Sequence, residues 1–337
     1  VRRRGAIIGF GNVAVHGHLP AWLQDARFEL VAIVDPSPER LQLARTLLPD
    51  AARYRNIEAC LARERVDFVD ICTPPMLHDA ALLRACEQGV HILCEKPLTL
   101  SSAIMQRLQR YAVEHDRVVF TVHNWQYAPL LQTLRATIAA GTIGAPECLE
   151  WKVMRTQPAG ASNGLGAWRV NQRIAGGGIL VDHGWHLFYL APFLLQKAPT
   201  AIAVRLEPPG CGEVDVEETA AGTISCGSAG VQFCLTWGAD RRTHEGRVRG
   251  TKGTISFDAV SLRIERPGEP GCEQRFTESI IASSYHPEWF APLLNDFYQA
   301  LKEPASGEAN LRAAATCLAL LQQGYASHRQ GGVRLPL

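Results

Sequence analysis

Short apolar runs alternate with amphipathic stretches through the first third of the chain. Ala6-Ile7-Ile8 stops at Gly9, and Leu30-Val31-Ala32-Ile33-Val34 stops at Asp35. Asp67 to Cys72 runs into Thr73-Pro74-Pro75, Val90-His91-Ile92-Leu93 into Cys94-Glu95-Lys96-Pro97, and Val118 to Val122 ends the series. Runs of this length with so few polar positions read as strands buried on both faces. Between them, residues 38–48 and 76–88 read as helices, and Asn56 and Ser101 are placed as N-caps, the first for a helix through Arg63. Regular alternation of this kind predicts a doubly wound parallel sheet over residues 1–122.

After Val122 the pattern changes. His123-Asn124-Trp125-Gln126-Tyr127-Ala128-Pro129 is an irregular polar-aromatic passage, followed by a helix that ends near Gly141 and a strand through Glu150-Trp151-Lys152-Val153. A loop rich in Gly, Ala and Ser then reaches Trp168-Arg169. From Thr200, alternating segments cover 200–206, 217–226, 230–237, 244–250, 254–258 and 260–265, with turn signals at Pro208-Pro209-Gly210 and Gly227-Ser228. Helices over 287–302 and 307–328 follow. Residues 123–337 are therefore predicted as a C-terminal α+β domain with a large, mostly antiparallel sheet. One face of that sheet is expected to pack on helices and the other against a second copy, giving a homodimer or homotetramer.

Two stretches concentrate polar chemistry. Gly9-Phe10-Gly11-Asn12-Val13-Ala14 fits the Gly-x-Gly-x-x-Gly/Ala turn between strand and helix. Its first glycine permits the tight turn, its second lets backbone approach a pyrophosphate, and small Ala14 allows close helix–strand packing. The helix N-terminus beyond it favours phosphate. Asp35, at the end of the second strand, can accept hydrogen bonds from ribose hydroxyls and repels a 2′-phosphate, which favours NAD over NADP, while Arg40 nearby is the residue that would accommodate that phosphate. Glu95 and Lys96 stand at the carboxyl end of a strand, the edge where open α/β sheets hold ligands. A lysine there can steady a developing alkoxide or shuttle a proton.

The second dense stretch is Gly176-Gly177-Gly178-Ile179-Leu180-Val181-Asp182-His183-Gly184-Trp185-His186. Triple glycine predicts backbone passing close to something, such as a nicotinamide or a substrate. Asp182 and His186, spaced i, i+4, share one face of a helix. Asp182, His183 and His186 are also oxygen and nitrogen ligands close in sequence, but no fourth ligand or thiolate cluster accompanies them, and no metal is expected.

The bulk properties narrow the classes. A formal net charge of +1 over 337 residues gives no field for nucleic acid or an anionic membrane, and no apolar run is long enough to span a bilayer. Arg2-Arg3-Arg4 makes a poor signal peptide, being followed by Gly9, Gly11, Asn12 and His16. Ten cysteines without a Cys-x-x-Cys spacing point to a reducing cytoplasm. The expected partner is a small-molecule substrate.

Taken together the motifs resemble the Gfo/Idh/MocA oxidoreductases, the family of glucose-fructose oxidoreductase and the inositol dehydrogenases. The resemblance runs through Gly9 to Ala14, Asp35, Thr73-Pro74 with His78, Glu95-Lys96-Pro97, Asn124, Trp168-Arg169, Gly177-Gly178, Asp182-x-Gly184-x-His186, Gly250-Thr251-Lys252-Gly253-Thr254, Tyr325-Ala326-Ser327 and Val333-Arg334-Leu335. It implies an N-terminal Rossmann domain holding NAD, with NADP less favoured, through Gly9, Phe10, Gly11, Asn12, Val13, Asp35, Arg40, Thr73, Pro74, His78, Glu95, Lys96, Asn124, Trp168 and Arg169. It implies Lys96, Asp182 and His186 as the catalytic residues, meeting over the nicotinamide, and His123, Arg169 and His183 beside them for substrate. The implied reaction moves a hydride between nicotinamide and a secondary alcohol or ketone of a sugar, polyol or sugar derivative. Either Lys96 or His186 is the final proton acceptor, and Asp182 orients substrate or His186. The chain departs from the family at Gln126, where an arginine is usual, and at Tyr189, where an acid is usual. Two other readings stand beside the dehydrogenase: a redox-assisted glycoside hydrolase or lyase without net NAD turnover, and a non-catalytic nucleotide-binding sensor.

Overall fold

A computed structural model describes residues 2–158, 167–208 and 215–337. Most of the Gly/Ala/Ser-rich loop and the Pro209-Gly210 part of the expected turn lie outside the described residues. The chain divides into two compact units, Val1–Asn124 with Tyr285–Ala315, and Trp125–Ser284 with Thr316–Leu337.

The first unit carries strands β1 (Arg3–Ile8), β2 (Phe28–Val34), β3 (Ala52–Tyr54), β4 (Phe68–Ile71), β5 (His91–Cys94) and β6 (Val119–Thr121). They form a six-stranded sheet in the order β3-β2-β1-β4-β5-β6, every pair parallel. The order reverses between β1 and β4, which makes their carboxyl ends the switch point where such sheets bind ligands. Helices α1 (Leu19–Gln24), α2 (Pro38–Leu47), α3 (Ile57–Arg63), α4 (Pro75–Glu87) and α5 (Ser102–Glu114) connect the strands. Ser37, Asn56 and Ser101 cap α2, α3 and α5 by accepting hydrogen bonds from the N–H of the third residue on.

The segment Tyr285–Ala315 packs with this unit, a departure from a linear division at residue 122. The cause is aromatic. The helix Pro287–Lys302 sends Phe297 to within 5.6 Å of Phe68 and 5.8 Å of Phe120. Trp22 stacks on Phe68 at 5.0 Å and meets Phe290 edge-on at 5.8 Å. Burying rings of this size outweighs chain proximity in deciding which unit the helix joins.

The second unit carries β7 (Pro146–Met154), β8 (Pro199–Glu207), β9 (Thr219–Cys226), β10 (Ala229–Thr236), β11 (Thr243–Gly250), β12 (Gly253–Phe257), β13 (Ser261–Glu265), β14 (Cys272–Arg275) and β15 (Leu335–Pro336). The nine strands run in the order β14-β13-β12-β11-β7-β10-β9-β8-β15, antiparallel except for β10 with β7. The remaining helices are α6 (Pro129–Ala139), α7 (Gln172–Ala175), α8 (Trp185–Leu195), α9 (Pro287–Lys302) and α10 (Glu308–Arg329). Alternation along β7 buries Leu149, Trp151 and Val153 and leaves Lys152 exposed, so one face is covered and one open. A groove on the open face, lined by Glu150, Lys152, Arg205 and Gln232, contains none of the predicted reacting residues.

Candidate active site

Lys96 belongs to the first unit, Asp182 and His186 to the second. In the first unit the glycine turn is held by the residue expected to read ribose. Asp35, 8% exposed, accepts from the N–H of Phe10 at 2.7 Å and from that of Ser37 at 2.9 Å. Gly9 lies at φ +91, and a Cβ there would sit 2.9 Å from Thr73. A Cβ on Gly11 would meet no protein atom within 4 Å, so backbone is open to an incoming group there. Arg40 reaches the same turn and donates to Asn12 Oδ1 at 3.1 Å. Beyond the turn, Val13–His18 is a π-helical turn that leads into α1.

Thr73 follows β4, and its Oγ1 is buried without a hydrogen-bond partner. Buried hydroxyls are seldom left so, and one at the switch point suits a ligand. His78 is fully buried, with Nδ1 2.8 Å from the Pro97 carbonyl and Nε2 2.8 Å from the Thr73 carbonyl. Burial pushes its pKa down, against the pull of both carbonyls. A neutral His78 has one N–H and so donates to one of these two carbonyls, Thr73 or Pro97, according to its tautomer. The Lys96–Pro97 bond is cis. Lys96 is half-buried, and its N–H donates to Glu95 Oε2 at 2.9 Å.

Glu95 is itself anchored by a group the motif reading did not include. Its Oε1 lies 3.0 Å from Nε2 of His18, whose Nδ1 lies 3.0 Å from Asp70 Oδ2 and 3.2 Å from Cys72 Sγ. Trp22 donates to Asp70 at 2.7 Å, and Phe290 stacks on the His18 ring at 4.0 Å. Burial works to lower the His18 pKa, but the charge of Asp70 and the hydrogen bonds outweigh it and hold it well above the ordinary value. His18, Asp70 and Cys72 have metal-ligand spacing. Both ring nitrogens of His18 face carboxylates, however, Nδ1 that of Asp70 and Nε2 that of Glu95. The arrangement is a buried imidazolium between two acids. Its sequence signal was Asp70, a charged residue inside an otherwise apolar parallel strand.

In the second unit, Asp182 and His183 lie on a π-helical turn, Leu180–Gly184, that continues into α8 with His186 in its first turn. This corrects the expectation of one regular helix. The close approach made by the triple glycine is also internal. A Cβ on Gly177 would fall 2.0 Å from the Tyr325 hydroxyl, and one on Gly178 1.9 Å from the Glu217 carbonyl oxygen. Glu217 in turn accepts from the Leu180 N–H at 3.0 Å and from Tyr325 at 2.8 Å, which pins the start of the turn. Gly176, at φ 81, ends α7.

His186 is 6% exposed, lies 2.8 Å through Nδ1 from the Tyr189 hydroxyl, and stacks on Trp125 at 4.7 Å. Tyr189 accepts from the Trp125 N–H at 3.2 Å. Tyr189, standing where the family usually has an acid, thus positions the imidazole. Asp182 Oδ2 lies 3.8 Å from His183 Nε2. Arg169 stacks over Trp168 at 4.3 Å. His123 is buried, which drives its pKa down to about 3, and Asn124 opens a short 3-10 turn through Tyr127.

Residues 3–123 match the oxidoreductase family with an NAD-binding Rossmann fold, and residues 131–256 match the Gfo/Idh/MocA C-terminal domain. The chain belongs to the Gfo/Idh/MocA family of oxidoreductases. It is 30% identical to a D-apiose dehydrogenase of Paraburkholderia graminis, over 98% of this chain and 88% of that one. It is 27% identical to the myo-inositol 2-dehydrogenase of Thermotoga maritima, over 76% and 75%. The fold superposes with a TM-score of 0.88 on an Agrobacterium radiobacter oxidoreductase solved with NAD+, L-tartaric acid and magnesium, at 19% identity over 100% of this chain and 98% of that one. The family's dehydrogenases and reductases make this protein an NAD-binding oxidoreductase. No helix among the described residues is long and apolar enough to cross a membrane.

Proposed function

We propose that the protein is a dehydrogenase that uses NAD in preference to NADP and oxidises a secondary alcohol of a sugar, polyol or sugar derivative, or runs the reverse reduction. The observation that carries this reading is the His186–Tyr189–Trp125 arrangement, an imidazole fixed on one nitrogen and one ring face. Tyr189 oxygen has two lone pairs. One receives the Trp125 N–H, and the other can receive Nδ1–H of His186, which leaves Nε2 as an acceptor. His186 then takes the hydroxyl proton as general base, and Lys96 steadies the developing alkoxide with its ammonium. Asp182 orients the substrate.

Gly11, the N–H groups of the following turn and the unpartnered Thr73 hydroxyl suit a dinucleotide. The nicotinamide, when bound, supplies the hydride acceptor. Asp35 keeps acceptor capacity beyond its two backbone bonds, and a carboxylate there disfavours a 2′-phosphate. The open face of the nine-stranded sheet is the surface through which copies associate in a cytoplasmic homo-oligomer.

The test is titration of the purified protein with NAD(H) and NADP(H), followed by a panel of sugars and polyols read at the reduced-nicotinamide band. NAD(H) binding with a redox change on a panel member supports the reading. Tight binding with no redox on any member, accompanied by cleavage of a glycosidic bond, replaces it with the hydrolase or lyase. Lys96→Ala is expected to keep NAD binding and cut turnover by about a hundredfold or more, and unchanged turnover removes Lys96 from the chemistry.

A further inference from the structure

The covered face of the nine-stranded sheet ends in cations. Along β7 that face carries Leu149, Trp151 and Val153, which are 0%, 1% and 3% exposed. The next residue on it is Arg155. Along β11 it carries Val248 and His244, 0% and 1% exposed, and one step outward Arg242. Val153 pairs with His244 and Met154 with Thr243, so the register carried one pair further sets Arg155 opposite Arg242. Like charges directly opposite each other across a sheet are unfavourable, and a hydrophobic face is a costly place to put them.

Neither arginine is neutralised among the described residues. The Nε atoms of both are buried without a hydrogen-bond partner. Arg242 Nη2 donates to the Ser283 carbonyl at 3.2 Å, and among the described residues neither side chain is paired with an acid. Burial lowers the Arg242 pKa to about 10, and the charge of Arg155 contributes to that. Burial lowers that of Arg155 too, with Asp182 opposing it and Arg169 adding to it. Arg155 thus feels two other guanidinium groups, Arg242 and Arg169, and the opposing charge of Asp182. His244 beside them has both ring nitrogens buried and unpartnered. It is driven down to about 3 by burial and then by Arg242. The cluster borders the reacting histidine, because Trp125 lies 5.1 Å from the His244 ring and 4.7 Å from that of His186.

From this geometry we propose that Arg155 and Arg242 bind an anionic group on the substrate, a carboxylate or a phosphate ester, so that the protein acts on a sugar acid or sugar phosphate instead of a neutral sugar. Planar guanidinium forks match both anions bidentately, which lysine does not. With one aromatic ring between the two sites, the anion belongs to a carbon several bonds from the hydroxyl that His186 serves. The inference rests on the dehydrogenase reading for the reaction, while anion binding is measured without turnover.

The experiment pairs hexuronates with their parent hexoses, and terminal phosphate esters with the same hexoses. It records kcat/KM with NAD in the wild type, Arg155→Met, Arg242→Met and Arg242→Lys, and calorimetric binding of each compound to the NADH-loaded protein. The wild type is expected to favour one anionic series over the neutral sugars by about 100-fold or more. Which series wins identifies the anion as carboxylate or phosphate. Each methionine variant is expected to lower that preference by about 10- to 100-fold, chiefly through KM, and Arg242→Lys to recover part of it. The methionine variants are expected to unfold at a temperature no lower than the wild type, because an uncompensated buried charge has been removed. Equal kcat/KM and equal binding for neutral and anionic members in the wild type overturns the inference and leaves the dehydrogenase intact. A preference that survives both substitutions in folded protein overturns it as well. Anion-selective binding without redox on any member upholds the anion site and sinks the dehydrogenase.

Discussion

Replacing His18 by leucine removes the cation from between two acids. Asp70, 0% exposed, would retain the Trp22 indole at 2.7 Å and the weak Cys72 thiol contact at 3.5 Å. Glu95 is less affected, because its side chain is 16% exposed and keeps the Lys96 N–H. Stranding one member of a buried ion pair costs about 3–5 kcal/mol. At about 2–4 °C per kcal/mol for a domain of this size, that is roughly 6–20 °C in the unfolding midpoint. Urea and thermal unfolding of wild type and His18→Leu near pH 7 measure it. The pH dependence has a defined sign. The folded protein holds the His18 pKa well above the ordinary value. Its contribution is therefore complete below the unfolded value of about 6.5 and is lost as the pH rises through the folded value. The gap between the two proteins should be wide near pH 6 and narrow under alkaline conditions. Adding Asp70→Asn to His18→Leu should recover part of the loss, since no buried charge then remains at that position. A loss under about 1 kcal/mol, or a gap that does not move with pH, refutes the buried imidazolium.

Tyr189→Phe strips the hydroxyl from His186 and is expected to lower kcat by about 10- to 100-fold and displace the pH–rate profile; an unaltered profile shows that Tyr189 does not position the imidazole. Asp35→Ser should shrink the preference for NAD over NADP, and an unchanged ratio in titrations removes Asp35 from ribose recognition. Gly178→Ala would place a Cβ 1.9 Å from the Glu217 carbonyl. A loss of about 2 kcal/mol or more in denaturant unfolding is expected, since overpacking costs about 1–3 kcal/mol even where side chains can yield. Overnight chelation should leave activity unchanged, whereas loss restored by zinc would show that a metal participates.

The parallel sheet was readable because each buried strand announces itself by an apolar run and a glycine or proline stop, as at Ala6-Ile7-Ile8-Gly9 and before Lys96-Pro97. The antiparallel sheet was readable through its alternation, although Cys272–Arg275 is too polar and Leu335–Pro336 too short to show. The two π-helical turns left no mark, since what holds Leu180–Gly184 is Glu217, which lies far along the chain. For the same reason the triple glycine suggested a ligand when the atoms it approaches belong to Tyr325 and Glu217. The residues proposed to react were visible as motifs, but the groups that hold them were not. Tyr189 and His18 are ordinary residues until the fold brings them to His186 and Glu95. Arg155 and Arg242 stand at strand ends where an arginine is usually solvated, and only the register shows that they oppose each other.

The placement of β7 bears on how the protein is made. It sits at the centre of its sheet, yet both its partners, β10 beginning at Ala229 and β11 beginning at Thr243, are translated long after it. The aromatic face of Trp22, Phe28 and Phe68 likewise waits for Phe297 on α9. A nascent chain emerging from a ribosome therefore carries an unpaired strand and an uncovered aromatic surface at once, from the completion of β7 until β10 and β11 have been made. Such segments are prone to associate with other chains. Slow elongation lengthens that vulnerable interval, so yield in a recombinant host should depend more on chaperone supply than on the stability of the finished fold.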